Sequence, residues 1–86
     1  MKEEWYVTFK VKHDVAINGK SCDYYAVKCI DKQNAEEVVE MVSGYHDFKY
    51  PRIVNGMNNV GSKKRNVISY DIFVELVKQA KNSVWN

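Results

Sequence analysis

A single proline, Pro51, interrupts the 86 residues, and glycine occurs only four times. So few breakers argue against a collagen-like or low-complexity chain and leave room for unbroken helices and strands. No apolar run approaches the roughly 20 residues that span a bilayer. Met1-Lys2-Glu3-Glu4 opens the chain without the apolar centre of a signal peptide. The expectation is a cytoplasmic protein with no membrane contact. Neither sign of charge dominates: 13 basic against 11 acidic side chains leave a formal +2. That excess is too small to name a partner, so any case for nucleic acid rests on where the cations lie.

Cysteine is scarce too. If Cys22 and Cys29 share one extended strand, they stand about 23 Å apart, whereas a disulfide needs Cα atoms within about 7 Å. Both are expected as reduced, buried or half-buried side chains. His13, Cys22, Cys29 and His46 supply metal-ligand atoms by type but match no CxxC or HxxxH spacing, so no metal or cofactor is expected. The His46-Asp47 neighbours have no reason to converge on a substrate. No activated nucleophile, phosphate-cradling glycine loop or paired carboxylate can be named, and the reading is non-enzymatic.

What is present is a composition, 45% hydrophobic and 28% charged, that can bury one core; a single domain over residues 1–86 is expected. Residues 34–44 carry their own start, face and stop. Asn34 with Glu37 resembles a capping box, and Ala35, Val38, Val39 and Val42 fall on one helical face. Gly44 offers a left-handed exit. A helix of about three turns is marginal alone and needs a sheet to cover.

Residues 5–12 supply such a sheet. Trp5, Val7, Phe9 and Val11 alternate with Tyr6, Thr8, Lys10 and Lys12, the period of a half-buried strand. Asn18-Gly19 is a hairpin signal, and residues 22–30 form the returning strand. A strict two-residue loop would set core residues against charged ones, so a bulge or irregular tip is expected between His13 and Asp23, with Phe9 opposite Cys29 and Val11 opposite Val27. Residues 45–49 read as a connection. Residues 50–55 read as a short third strand that Pro51 confines to an edge. A turn-rich loop follows, from Asn55-Gly56 to about Lys64, then a fourth strand over residues 65–68. Ser69 caps a second helix with the stripe Phe73, Leu76, Val77, Ala80 and Val84.

The element order is ββαββα. It predicts an α+β, two-layer fold: a four-stranded antiparallel sheet with both helices on one face. Moving the last strand of a ferredoxin-like chain to its front gives the same order, hence an expected strand order 1-2-4-3; a meander, 1-2-3-4, is the alternative.

With the helices on one face, the other is left to Tyr6, Thr8, Lys10, Lys12, Tyr24, Ala26 and Lys28, joined by Arg52, Val54, Asn66 and Ile68. Three readings compete for it. Tyr and Lys pairs suit any solvated pleated surface. Tyrosines among lysines also suit a single-stranded DNA or RNA platform, where rings stack on bases and cations meet phosphates. A protein-binding face is the third. Lys63-Lys64-Arg65 is the densest basic cluster and could serve either partner. Glu36, Glu37 and Glu40 are accounted for by capping and solvation. The preferred expectation is a small protein-binding module, an accessory or inhibitor protein of phage or mobile-element type that docks on a larger machine. Its contact residues would be Tyr6, Lys10, Lys12, Tyr24, Lys28, Arg52, Lys63, Lys64 and Arg65. Single-stranded nucleic-acid binding is the alternative, and the edge strand could also pair two copies into a homodimer.

Overall fold

The computed structural model describes residues 4–11, 16–17, 20–21, 24–45, 48–61 and 66–85. In chain order these form strand β1 (Trp5–Val11), a small hairpin of β2 (Ala16–Ile17) and β3 (Lys20–Ser21), strand β4 (Tyr24–Cys29) and helix α1 (Lys32–Ser43). Strand β5 (Phe48–Asn55), one 3-10 turn (Met57–Asn59), strand β6 (Val67–Ile68) and helix α2 (Tyr70–Trp85) follow.

The α+β class holds, with two helices and a four-stranded sheet, but the sheet order is β5-β1-β4-β6. Counting only these four strands, that is 3-1-2-4, and neither 1-2-4-3 nor the meander is found. The sheet is also mixed: β1 runs antiparallel to β4 and β5, whereas β4 and β6 are parallel. Strand length gives the reason. A two-residue β6 placed between longer neighbours would leave their backbone groups unpaired, at the cost of buried orphan donors and acceptors. At the far edge it need satisfy only part of β4, and the eight-residue β5 pairs along the whole of β1 instead.

Period two in β1 and β4 is as the sequence implies. Val7, Phe9, Val11, Tyr25, Val27 and Cys29 face the helices and meet Ala35, Val38 and Val42 of α1 and Phe73, Leu76 and Val77 of α2. Phe9 is the centre of this layer, with the rings of Phe48 at 5.2 Å and Phe73 at 5.8 Å in tilted and edge contact.

The register differs from expectation while keeping its parity: Trp5 lies opposite Cys29, Val7 opposite Val27 and Phe9 opposite Tyr25. In the small hairpin Ala16 faces Ser21 and Ile17 faces Lys20. Five residues separate Lys10 from Ala16 but only two separate Ser21 from Tyr24, so the two ladders are out of step. The bulge or irregular tip expected between His13 and Asp23 falls on residues 12–15, 18–19 and 22–23, which lie outside the described residues, Asn18-Gly19 and Cys22 among them.

α1 begins earlier than its sequence signature implies. Asp31 is the N-cap, accepting from the Asn34 N–H at 2.8 Å, and the Asn34 side chain accepts in return from the Ile30 N–H at 3.1 Å. The cap is therefore Asp31, with the Asn34 side chain reaching back to the Ile30 N–H and so already inside the first turn, not capping it. Gly44 is not left-handed; its φ is −82°. Ser69 does cap α2, its hydroxyl accepting from the Ile72 N–H at 3.3 Å. Ile68, assigned to the outer face by the sequence, packs in the helix-side core, and Val67 takes the outer side.

Gly44 sits in right-handed backbone, and an added Cβ would meet only ordinary contacts at 3.5 and 3.7 Å. Gly44→Ala should therefore raise stability by about 0.4–1 kcal/mol in urea unfolding. Gly56→Ala, at φ +90°, should lower it.

Candidate functional site

The face away from the helices is not open. Tyr6 and Ala26 are fully buried there, against Val54, Val60 and Val67. Val60 comes from the connection between β5 and β6, whose ends pair at opposite edges of the sheet. To join them the chain crosses over β1 and β4, carrying Val60 onto the Tyr6 ring. The turn-rich loop read from the sequence thus helps to cover that face through Val60.

Burial changes the chemistry of Tyr6. Its hydroxyl donates to Glu4 Oε2 at 2.7 Å. Loss of hydration, then the hydrogen bond and charge of Glu4, push its pKa up to about 12. A ring buried under Val60 cannot stack on an incoming base. Tyr6, expected to lie on a partner-binding face, is a core residue. Cys29 is likewise held as a thiol: burial, followed by the charge of Asp31, pushes its pKa up to about 11.

The other residues singled out from the sequence fall in four groups. Lys10 and Tyr24 are half-buried and directly opposite each other. Lys28 is exposed but lies opposite Tyr6, nearer the other end of the β1–β4 pair. Arg52 is exposed opposite Thr8. Lys12, Lys63, Lys64 and Arg65 lie outside the described residues, although Asn66, next in sequence, donates to the Tyr24 carbonyl at 3.0 Å.

Two residues that sequence reasoning passed over complete the exposed edge. Residues 48 and 49, read as connection, belong to β5, which brings Lys49 opposite Lys10. The ladder then slips: Thr8 pairs with Arg52, so Tyr50 and Pro51 together oppose Phe9. Such a bulge is required by packing. Phe48 and Ile53 both belong to the helix-side core, yet an odd separation would place them on opposite faces of a regular strand. Tyr50 takes up the extra residue at φ +59°, a backbone region usually left to glycine. Its side chain stands 69% exposed.

The bulge explains the backbone of position 50 but not the tyrosine. Glycine or asparagine would adopt that φ at lower cost, since left-handed backbone costs an ordinary residue about 1–2 kcal/mol. A proline in a strand does signal a bulge or an edge. That signal locates the irregularity, while the identity of the left-handed residue is not legible from it, because a residue before proline ordinarily prefers extended backbone.

The edge of β5 thus gathers Lys49, Tyr50 and Arg52, with Lys10 beside them on β1. Neither strand carries an acidic residue. Like charges directly opposite, as at Lys10 and Lys49, disfavour one another. A groove of about 250 Å³ runs beside the same edge, lined by Arg52, Ile53, Val54, Asn55 and Asn59. Among the described residues no group of three or more His, Cys, Asp or Glu side chains is placed to hold a metal ion, and no helix is long and apolar enough to cross a membrane. No family model, curated protein or solved structure matches this chain.

The Tyr6 hydroxyl gives this arrangement a pH signature. The unfolded phenol loses its proton near pH 10 and the folded one near 12, so between these values the unfolded state binds fewer protons and stability falls as pH rises. Tyr6→Phe should cost about 1 kcal/mol at neutral pH. In chemical denaturation it should also make the decline above pH 10 shallower; a slope equal to the parent's would contradict this placement of Tyr6. Cys29 adds a decline of the same sign, since its unfolded thiol ionises near pH 9 and its folded one near 11.

Proposed function

We propose that this chain is a small, non-enzymatic protein-binding module of the accessory or inhibitor kind, and that its contact surface is the outer edge of β5. The observation that carries the reading is Tyr50: an exposed aromatic kept in left-handed backbone between exposed Lys49 and Arg52. Interface energy concentrates in Tyr, Trp and Arg side chains. An unpaired strand edge also offers backbone groups that a partner strand can satisfy. Lys49, Arg52, Pro51 and the bulge are devices that commonly blunt an edge, and they gather toward its first half. Pro51 and the bulge interrupt its first half, while Arg52–Asn55 remains regular.

Burial of Tyr6 removes the central ring from the alternative, single-stranded DNA or RNA binding on the sheet face. Tyr24 is left there, half-buried, and successive bases need a row of stacking platforms.

Substitution at Tyr50 separates function from folding. Tyr50→Gly should leave stability unchanged or raise it by up to about 1 kcal/mol, because relief of the left-handed backbone offsets the added chain entropy. The same change should cost partner binding about 2 kcal/mol or more, as loss of a hot-spot aromatic does. The measurement is thermal unfolding beside retention of a stoichiometric partner from an extract of the native host. A partner retained equally by Tyr50→Gly and the parent would move the contact surface away from β5.

A further inference from the structure

The edge of β5 also indicates what kind of segment it takes. Alternate residues of an antiparallel strand turn their N–H and C=O groups to opposite edges. The Gly56 N–H bonds the Glu4 carbonyl at 2.6 Å, and Val54 and Arg52 lie in step with it, opposite Tyr6 and Thr8. Those two residues therefore turn their backbone groups toward β1. Ile53 and Asn55 turn theirs outward. The Asn55 carbonyl bears this out: it accepts a hydrogen bond from the side-chain amide of Asn59. Asn59 thus stands where a partner strand would donate, and the groove lined by Arg52–Asn55 and Asn59 lies along the same four residues.

We infer that this groove receives a short extended acidic segment of a partner protein, which adds as a strand beside Arg52–Asn55, sets a carboxylate against Arg52 and displaces the Asn59 amide from the Asn55 carbonyl. The inference rests on the protein-binding reading above and adds the partner's chemistry to it. The footprint is about four residues, roughly 13 Å of strand, because Pro51 has no N–H and the 3-10 turn closes the other end. So short a ladder gives little affinity by itself, and charge supplies the selectivity. Lys49, Arg52 and Lys10 provide it; neither strand carries an acidic residue, and Glu4, which precedes β1, is engaged by the Tyr6 hydroxyl. A second copy of this chain is disfavoured as occupant, since β5 carries Lys49 and Arg52 with no acidic residue to offset them on a second β5.

The test uses the full chain and two fluorescein-labelled nonapeptides, one of alternating glutamate and threonine, the other of alternating lysine and threonine. Fluorescence anisotropy at low salt should show the glutamate peptide binding at least tenfold more tightly. Arg52→Glu should reverse that preference. Asn59→Ala should tighten the glutamate peptide several-fold, because its carbonyl site is then vacant, while keeping the preference for acid. Amide NMR shifts should centre on Ile53 and Asn55. Equal binding of the two peptides, indifference to Arg52→Glu, or no binding by Asn59→Ala would each overturn the inference. Displacement of the glutamate peptide from the Arg52-dependent site by a tighter-binding thymidine dodecamer would assign the edge to nucleic acid and overturn it too. So would a dimer in sedimentation equilibrium that Asn59→Ala strengthens and the peptide does not dissociate. If host partner retention depends on Tyr50 but the peptides fail, the binding module stands and the acidic strand falls. If the peptides behave as stated while retention ignores Tyr50, the reverse holds.

Discussion

β1 is covered on both sides, and the rest of the structure follows from that. Val7 and Phe9 press on the helices, while Tyr6 and Thr8 are just as buried on the other face. A strand hidden on both faces must have neighbours along both edges, or its backbone groups go unpaired in a place water cannot reach. β4 fills one edge and β5 the other. Once β5 has gone to the far side of β1, the chain can reach β6 only by crossing the sheet, and that crossing brings Val60 onto Tyr6. The cover over the second face is thus a consequence of strand order.

The same constraint shapes the exposed edge. Phe48 and Ile53 both serve the helix-side core, and the chain reconciles their odd spacing by spending one extra residue at Tyr50-Pro51. The core thereby keeps both apolar side chains instead of one, and a fully buried one is worth about 1.5–3 kcal/mol, of which the half-buried Ile53 gains a part. Against that stands a left-handed residue at about 1–2 kcal/mol. Packing offsets that cost, and glycine or asparagine at the left-handed position would lower it. Tyrosine at that position is what asks for an explanation outside the fold.

Much of the local structure is legible in the chain. Alternation in β1 and β4 identifies which residues face the helices, because a period of two leaves no other way to bury Val7, Phe9, Val27 and Cys29 together. The stripe of α1 and the Ser69 cap of α2 are local chemistry and read directly. The start of α1 is less so, since Asp31 and Asn34 are both competent caps and only the path out of β4 decides between them. Pro51 places β5 at an edge. It does not say which edge, nor that Lys49 belongs to the strand.

The candidate site was mostly hidden for one reason: sequence alternation tells which residues share a face, and nothing in it tells whether that face is covered. Tyr6, Tyr24 and Lys10 do lie on the side away from the helices, as their spacing implies. Whether Tyr6 meets solvent or Val60 depends on where β5 pairs, a contact across some fifty residues with no local signature. The sequence by itself determined the elements, their apolar faces and the single proline that marks an edge, since these rest on spacing and side-chain chemistry within a few residues. Tertiary structure alone decided the strand order, the burial of Tyr6 and the exposure of Tyr50, because each is set by long-range pairing that satisfies both edges of β1 at once.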